Sequence, residues 1–280
     1  MLTRIAIVCF GAEDERHAQA HLAILTALAW LPGPAEVVVT TDRPQWYRWL
    51  GERIRIVPLT EHLRVAWSGP QRFVWRVVLN AIAETALRGP PANLLYLDTD
   101  TLVRRPLAPL LAALESGDVF LHKLESPLYQ RRTGSHRSLW KQTRGRSYAG
   151  FAIDRRTQLW NSGVVGVGAQ NVALLSQALE VCDAMTTAGV ESWLVEQLAD
   201  SAVFQATGRL REAQPWIAHY WGNKPGFNQG VREQLLAIFL RGMSVDEAIA
   251  YVRENSIERP LRVKPRWWHQ YFRRLAGTPG

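Results

Sequence analysis

Two aspartates separated by one residue, Asp98 and Asp100, directly follow the apolar run at residues 94–97. Side chains alternate faces along an extended chain, so residues two positions apart point the same way. Two neighbouring carboxylates repel each other unless a cation lies between them, and hard divalent ions prefer oxygen ligands. The spacing therefore predicts a metal site just beyond the C-terminal end of a buried strand.

The elements around this strand predict an α/β fold. Apolar runs at 5–10, 36–41 and 55–58 are typical of strands. Helical periodicity over 18–29 follows the first run, and helical periodicity over 70–87 lies between the third run and the aspartates. Alternating strands and helices are typical of a mostly parallel sheet with right-handed crossovers. In such sheets ligands bind beyond the carboxyl ends of the strands, where the strand order reverses. The aspartate pair follows one of these ends.

Positive charge is concentrated in two segments. The chain has a net charge of +8, yet residues 122–156 contain nine basic and two acidic residues, and the chain from 259 onward contains six basic residues and no acidic one. This distribution argues against a nucleic-acid-binding protein, whose charge would spread over a whole face. The segment 123–157 also has little periodicity and predicts a long irregular loop, which in a compact domain is usually functional or disordered.

The C-terminal segment 262–275 combines an aromatic stripe with basic neighbours. At helical spacing, one face would present Trp267, Trp268, Tyr271, Phe272 and Leu275. An interfacial helix on anionic lipid has this composition, and so does a terminal helix packed on its own domain with a solvated basic side. Both interpretations remain open from the sequence.

The remaining composition predicts a cytoplasmic protein. Its two cysteines, Cys9 and Cys182, lie in apolar segments, so we expect no disulfide framework. No apolar run has the length of a membrane span, and the N-terminus enters a strand-like pattern without the apolar segment of a signal peptide. If segment 262–275 binds lipid, we expect the protein at the inner face of the membrane.

Four motifs together resemble one enzyme family. LYLDTDTLV at 95–103, WNSGVV at 160–165, EQ at 196–197 and HYWGNKP at 219–225 occur in the order found in the glycogenin-like and lipopolysaccharide galactosyltransferase-like enzymes. Those enzymes are glycosyltransferases of the GT-A fold. This chain departs from their pattern by a glutamate, Glu196, in place of aspartate. Its last motif also has one residue fewer between glycine and lysine and lacks a final tryptophan.

The resemblance implies a metal ion bound to a nucleotide-diphosphate sugar. Asp98, Asp100 and His219 would hold Mn²⁺, with Mg²⁺ as the alternative, because this oxygen and nitrogen ligand set suits such ions. Gly222 would allow a close backbone approach to the diphosphate, and Lys224 would supply a positive charge. The donor implied is most simply a UDP-sugar.

Three further residues are implied to act at the sugar. Asn161 would contact the donor sugar or the acceptor, and Glu196 and Gln197 would flank the anomeric carbon. If the reaction inverts configuration, Glu196 would be the general base for the acceptor hydroxyl. If the reaction retains configuration, Gln197 or the leaving diphosphate would assist from the front face.

The nucleotide end is implied to lie at the termini of the first two strands. The base and ribose would lie near Cys9, Phe10, Gly11 and Asp42. A basic residue on the helix before the aspartate strand, Arg76, would contact the donor. The basic segment 122–156 would cover the site or meet an anionic acceptor.

These expectations define a GT-A catalytic domain over 1–258, with a nucleotide-binding half at 1–123, an acceptor-side half at 124–258 and a basic aromatic tail at 259–280. The expected activity is hexosyl transfer to an envelope glycan or glycolipid. Three alternatives remain. A haloacid-dehalogenase-type phosphatase would use Asp98 as its nucleophile, although that motif normally opens the fold. A sugar nucleotidyltransferase would need a glycine-rich N-terminal loop, which the chain lacks. A non-catalytic basic binding module would need no metal.

Overall fold

A computed structural model describes residues 1–258 and 260 of the chain. Its strands are β1 (Thr3–Cys9), β2 (Ala35–Thr41), β3 (Arg55–Pro58), β4 (Asn93–Leu97), β5 (Thr101–Val103), β6 (Val119–Pro127), β7 (Ser147–Tyr148), β8 (Phe151–Ala152), β9 (Gln158–Val167), β10 (Leu210–Glu212) and β11 (Ile217–His219). Its α-helices are α1 (Asp14–Trp30), α2 (Glu61–Ser68), α3 (Val74–Leu87), α4 (Ala108–Glu115), α5 (Gly134–Thr143), α6 (Ala173–Thr187), α7 (Val195–Ala206), α8 (Lys224–Leu240) and α9 (Val245–Glu254). Short 3₁₀ turns join several of them.

A seven-stranded sheet organises the molecule, in the order β10-β6-β9-β4-β1-β2-β3. Neighbouring strands are parallel except for β9, which runs antiparallel to both β4 and β6. The prediction of an α/β fold with a mostly parallel sheet is therefore confirmed. The chain proceeds from β1 to β2 and β3 on one side and then returns to β4 on the other side. The strand order thus reverses between β1 and β4, where ligands bind in such sheets.

Apolar side chains cover both faces of the sheet. Along β1, Ile5, Ile7 and Cys9 lie in one core cluster, while Ala6 and Val8 lie in another. Helices α1, α8 and α9 contact one another on the first face, and α3, α6 and α7 contact one another on the second. Burial of both faces explains why the strands read as continuous apolar runs rather than as alternating patterns.

A small second sheet connects the aspartate motif to the fourth and most distant motif of the site. Strand β5 follows Asp100 directly and pairs antiparallel with β11, so that Thr101 is opposite His219. The backbone N–H of Tyr220 also donates to the Asp100 carbonyl at 3.0 Å. This pairing brings residues more than one hundred positions apart to the same edge of the main sheet.

Two segments differ from the sequence prediction. The helix predicted over 70–87 begins only at Val74, because the chain turns at Gly69 and at Arg72, whose φ is +51°. The prediction of a long irregular loop over 123–157 is wrong, since that segment contains the end of β6, helix α5 and the β7–β8 hairpin. Helix α5 buries only His136, Leu139 and Thr143, so its periodicity is too weak to recognise in the sequence.

Among the described residues, no helix combines the length and the apolar character needed to cross a membrane. The basic aromatic tail predicted at 259–280 lies outside the described residues, apart from residue 260.

Candidate metal centre and adjoining cavity

The two aspartates follow β4 in a loop that backbone hydrogen bonds hold in place. The Asp98 N–H donates to the carbonyl of Gly163 in the neighbouring strand β9 at 2.9 Å. The Asp98 carboxylate accepts from the Thr99 N–H at 2.7 Å, and the Thr101 hydroxyl donates to the Asp98 carbonyl at 2.7 Å. The carboxylates therefore occupy fixed positions beyond the end of the strand, as the two-residue spacing predicts.

His219 faces both carboxylates. Its Nε2 lies 3.2 Å from Asp100 Oδ1 and 3.8 Å from Asp98 Oδ2. One ligand atom from each of the three residues lies within 4.8 Å of the others. Lys224, at the start of α8, places its ammonium group 3.0 Å from the other oxygen of Asp100. The structure thus brings together all three residues predicted to bind the metal and the lysine predicted beside them.

The tautomer of His219 follows from its other ring nitrogen. The Asn161 amide nitrogen donates to the Glu125 carboxylate at 3.2 Å, which directs the amide oxygen Oδ1 toward His219. This oxygen accepts from the Gly163 N–H at 3.2 Å and from His219 Nδ1 at 2.7 Å. Because Nδ1 donates its hydrogen there, Nε2 carries the lone pair that a metal ion requires.

The three facing groups fit a divalent cation. In the neutral ring with its hydrogen on Nδ1, His219 Nε2 is an acceptor, as are the facing oxygens of Asp98 and Asp100. A cation satisfies all three at once. Two carboxylates and one imidazole are ligands that Mn²⁺ takes readily, and Mg²⁺ accepts the same oxygen ligands.

The two carboxylates are electrostatically unequal. Burial raises the pKa of Asp100, but the nearby His219 ring and Lys224 ammonium outweigh this effect and hold the pKa below its usual range. Burial and the charge of Asp100 raise the pKa of Asp98. His219 and Lys224 thus already offset the charge of Asp100, whereas Asp98 retains the stronger need for a cation.

A cavity of about 270 Å³ adjoins this centre. Apolar side chains of Trp75, Val78 and Trp193 line it, together with polar groups from β6, α5 and β9. The sequence-predicted residues on its wall are Asp98, Asp100, Asn161, Glu196, Gln197, His219 and Lys224. The metal residues and the residues predicted to act at the sugar therefore share one cavity, as the sequence analysis expects.

The structure does not bring every predicted residue to this cavity. At the ends of β1 and β2, the Gly11 N–H lies 3.2 Å from both oxygens of Asp42, so these two positions are neighbours, and their role at the base and ribose stays a prediction. Cys9 is fully buried in the core, where burial raises its thiol pKa to about 12, and Phe10 packs against the core. Gly222 lines a different groove, considered below.

Arg76 also lies away from the metal centre. Its guanidinium group forms two hydrogen bonds to the Asp183 carboxylate of α6, at 2.6 and 2.9 Å, and one to the Trp67 carbonyl at 2.8 Å. All three contacts are structural links between α2, α3 and α6. The expectation that Arg76 contacts the donor is therefore not supported by its position.

Two acidic residues of the site, Glu125 and Asp200, were not predicted from the sequence. Glu125, which lines the cavity, has its pKa lowered: burial raises it, but hydrogen bonds from His136 and Asn161 outweigh burial. Asp200 is fully buried one helical turn after Glu196 in α7. The only sequence signal for Glu125 is its isolated negative charge in a basic segment, and for Asp200 it is an acidic residue at i+4 on an apolar helix.

Glu196 and Asp200 form a buried carboxyl pair. Burial, followed by the neighbouring Asp200, raises the pKa of Glu196 well above its usual value, and burial raises that of Asp200 to about 7. The Ser162 hydroxyl donates to Glu196 at 3.2 Å. Two such groups hold a shared proton between them at neutral pH.

Replacing Glu196 by glutamine should therefore flatten the pH dependence of stability. Both folded-state pKa values exceed the ordinary carboxyl value of about 4, so the folded protein retains protons that the unfolded chain loses as the pH rises. The free energy of unfolding from this pair is thus highest at low pH and declines as the pH rises through 7. Urea unfolding at pH 5 and pH 8 should show a smaller decline in Glu196→Gln than in the parent.

The matched control is Glu180→Gln, which removes a carboxylate from the exposed face of α6. We expect its decline between pH 5 and pH 8 to equal that of the parent protein. If the free energy of unfolding of Glu196→Gln falls between pH 5 and pH 8 as much as that of the parent, the conclusion that Glu196 and Asp200 hold a proton at neutral pH is wrong.

The fold alone does not determine an activity, because one α/β architecture supports many functions. No model of a known protein family matches the chain, and no curated protein sequence matches it. The function is therefore argued from the residues of the site.

Proposed function

We propose that the protein is a metal-dependent glycosyltransferase of the GT-A fold that uses a nucleotide-diphosphate sugar, most simply a UDP-sugar. The observation that carries the proposal is the convergence of Asp98, Asp100 and His219, with Lys224 beside them, at the point where the strand order reverses. These residues come from two of the four motifs that resemble the family. A diphosphate leaving group needs this combination of a bound cation and a fixed positive side chain.

Each residue of the site has a role in this proposal. The metal ion, when bound, neutralises the charge that develops on the leaving diphosphate. Asp98, Asp100 and His219 hold it, and Asn161 fixes the ring of His219. The ammonium group of Lys224, which pairs with Asp100 at 3.0 Å, would supply a fixed positive charge for the diphosphate.

The buried carboxyl pair supports a different role for Glu196 from that of a general base. A general base must be unprotonated, whereas burial and Asp200 keep Glu196 protonated at neutral pH. In the proposed mechanism Glu196 lines the sugar cavity as part of a pair that shares its proton with Asp200. A raised pKa of Glu196 is compatible with a reaction that retains configuration. In such a reaction Gln197 or the leaving diphosphate would assist from the front face of the sugar.

Metal-dependent nucleotide binding tests the proposal directly. We expect UDP to raise the melting temperature in the presence of Mn²⁺ and to have no effect after EDTA treatment. A ligand at one hundred times its dissociation constant stabilises a protein by about 2.7 kcal/mol, which a thermal-shift assay resolves. ADP, GDP and UDP-sugars in the same panel would identify the nucleotide and the sugar.

Two results would oppose the proposal. Binding of UDP with equal strength in Mn²⁺ and in EDTA would remove the metal from the mechanism. Hydrolysis of a simple phosphate ester in the absence of any nucleotide sugar, with a phosphoryl group trapped on Asp98, would favour the phosphatase alternative.

The proposed acceptor is an envelope glycan or glycolipid, and the proposed location is the cytoplasm at the inner face of the membrane. The basis is the sequence of segment 262–275 alone, with its aromatic stripe and basic residues. No nucleic-acid partner is proposed.

Replacing Trp267 and Trp268 together by serine should reduce binding to anionic vesicles. Loss of two large apolar side chains from an interfacial segment should weaken binding at least tenfold. Co-sedimentation of the full chain with phosphatidylglycerol vesicles measures this change. Trp193→Ser, at an exposed tryptophan of the cavity, is the control and should bind vesicles as the parent does. Unchanged binding of the double variant would show that the tail does not contact the membrane.

A further inference from the structure

A second groove, of about 730 Å³, adjoins the cavity of the metal centre. His219 and Trp221 line both spaces, so the groove begins at the metal centre and extends away from it. Its other walls come from the end of β5, from β6 and from the segment between β10 and α8. None of the residue roles assigned above accounts for this space, except that Gly222 lies on its wall.

The walls of the groove are basic. Three cationic side chains line it, those of Arg104, Arg105 and Lys123, and no aspartate or glutamate of the described chain does. His122 also lines the groove, with its ring edge-on to that of His219. The groove therefore has an excess of positive charge beside a metal centre that itself binds a cation.

Two of these cations have no partner of opposite charge. Within residues 1–258 and 260, neither Arg105 nor Lys123 forms an ion pair or a side-chain hydrogen bond, whereas Arg4, Arg76, Arg209 and Arg211 each pair with a carboxylate. Arg105 is exposed and Lys123 is half-buried. Unpaired cations facing one groove repel each other, so a bound anion would lower the electrostatic free energy of the folded protein.

Lys123 is also fixed close to the site by strand pairing. In the β6–β9 ladder it lies directly opposite Asn161, the residue that orients His219. Arg104 is held in turn, since its guanidinium group donates to the Ile257 carbonyl at 2.9 Å and lies over the Phe227 ring. The cationic wall is thus attached to the same framework as the metal centre, which is the arrangement expected of a substrate subsite.

Aromatic side chains complete the groove. Trp216 and Trp221 line it, and Trp221 is 48% exposed, which is unusual for so large an apolar group. An indole ring presents a flat apolar surface with a polar N–H, which suits the mixed apolar and hydroxyl-bearing faces of a sugar. The combination of tryptophan and unpaired cations indicates a carbohydrate with an anionic substituent.

We propose that this groove binds the acceptor and that the acceptor carries a phosphate group on its carbohydrate. This inference rests on the proposed function, because it assigns the groove as the acceptor half of the same transfer site. Arg105 and Lys123 contact the phosphate, for which lysine supplies a point charge and arginine a pair of parallel donors. Trp221 stacks against the adjoining sugar between the phosphate and the metal centre.

Calorimetric titration with sugar phosphates tests the inference. The protein is first saturated with Mn²⁺ and UDP, so that the metal centre is closed to a second phosphate. Glucose 6-phosphate and glucose 1-phosphate are then titrated, with glucose as the neutral probe. We expect at least one sugar phosphate to bind, glucose to bind at least tenfold more weakly, and the affinity to fall as the salt concentration rises.

In the double variant Arg105→Gln with Lys123→Gln, the affinity for the sugar phosphate should fall at least tenfold. Mn²⁺ and UDP should bind as they do in the parent. Arg48→Gln with Lys141→Gln is the charge-matched control, because it removes two exposed positive charges from outside the groove. This control should keep the sugar-phosphate affinity of the parent. An equal loss in the control and test variants would show a general effect of net charge and would overturn the inference.

Other outcomes are equally decisive. If Mn²⁺ and UDP bind but neither sugar phosphate does, the inference fails while the proposed function stands. If Mn²⁺ and UDP do not bind, the proposed function fails, and the inference fails with it. Binding to phosphatidylglycerol vesicles that depends on Arg105 and Lys123, without binding of a sugar phosphate, would overturn the inference in favour of a lipid headgroup.

Discussion

Replacing Asp100 by asparagine is expected to abolish the Mn²⁺-dependent binding of UDP. The Asp100 side chain is almost completely buried, and its two oxygens face His219 Nε2 and the Lys224 ammonium. Asparagine keeps the shape but removes the negative charge, so the metal loses a ligand and Lys224 loses its counter-charge. The loss of one anionic ligand strongly lowers the affinity of a site for a hard cation. We therefore expect the apparent UDP affinity to fall by at least a hundredfold.

Isothermal titration of UDP at saturating Mn²⁺ measures this loss, and repeating the titration in EDTA gives the metal-independent baseline. Asp246→Asn, an isosteric change in an exposed residue that pairs with Arg53, is the matched control and should leave UDP binding unchanged. Asp98→Asn should behave as Asp100→Asn does. UDP binding of parental strength in Asp100→Asn would contradict the assignment of this cluster as the metal centre and would leave the proposed function without its main support.

The fold was predictable where a single strand or helix defines its own pattern. The buried strands β1 and β4 read as apolar runs because helices cover both faces of the sheet, and their order with the intervening helices indicates parallel pairing. Helix α5 was not predictable, because it lies on the surface with basic residues and buries few side chains. Its start depends on the Thr133 cap, whose hydroxyl accepts from the His136 N–H, and one capping residue is a weak signal in a polar segment.

The residues of the site also differ in whether the local sequence could predict them. Asp98 and Asp100 were predictable from their spacing directly after an apolar strand, which is a local property of the chain. The third ligand, His219, comes from a strand that pairs with β5, and its selection depended on the resemblance of its motif. Glu125 and Asp200 belong to no motif. Their roles depend on contacts across strands and along a buried helix, which only the assembled structure shows.

The Asn161–Gly163 motif illustrates what a resemblance does not explain by itself. The resemblance implies that Asn161 contacts the sugar or the acceptor, and this stays a prediction. In the structure both ends of its amide are already engaged, with Glu125 on one side and His219 on the other. The motif thus acts first as the outer support of a metal ligand, a role whose loss typically weakens metal binding by about ten- to a hundredfold.

Gly163→Ala is expected to displace His219 and to weaken Mn²⁺ binding by about ten- to a hundredfold. A Cβ atom at this position would lie 2.1 Å from Cε1 and Nδ1 of the His219 ring, far inside van der Waals contact. The ring cannot stay between Asn161 and Asp100 when that methyl group is present. Electron paramagnetic resonance of bound Mn²⁺ measures the affinity, and urea unfolding of the same variant measures the cost of overpacking, about 1–3 kcal/mol.

A double-mutant cycle separates the clash from a general loss of folding. In the background His219→Ala the imidazole ring is gone, so adding Gly163→Ala should cost far less stability than it costs in the parent. Gly33→Ala is the matched control, because a Cβ atom there meets no other atom within 4 Å and should leave Mn²⁺ affinity unchanged. If Gly163→Ala costs the same stability with and without the ring, the close approach of Gly163 to His219 does not explain why glycine occupies this position. If Mn²⁺ affinity is also unchanged, then the position of the His219 ring does not determine metal binding.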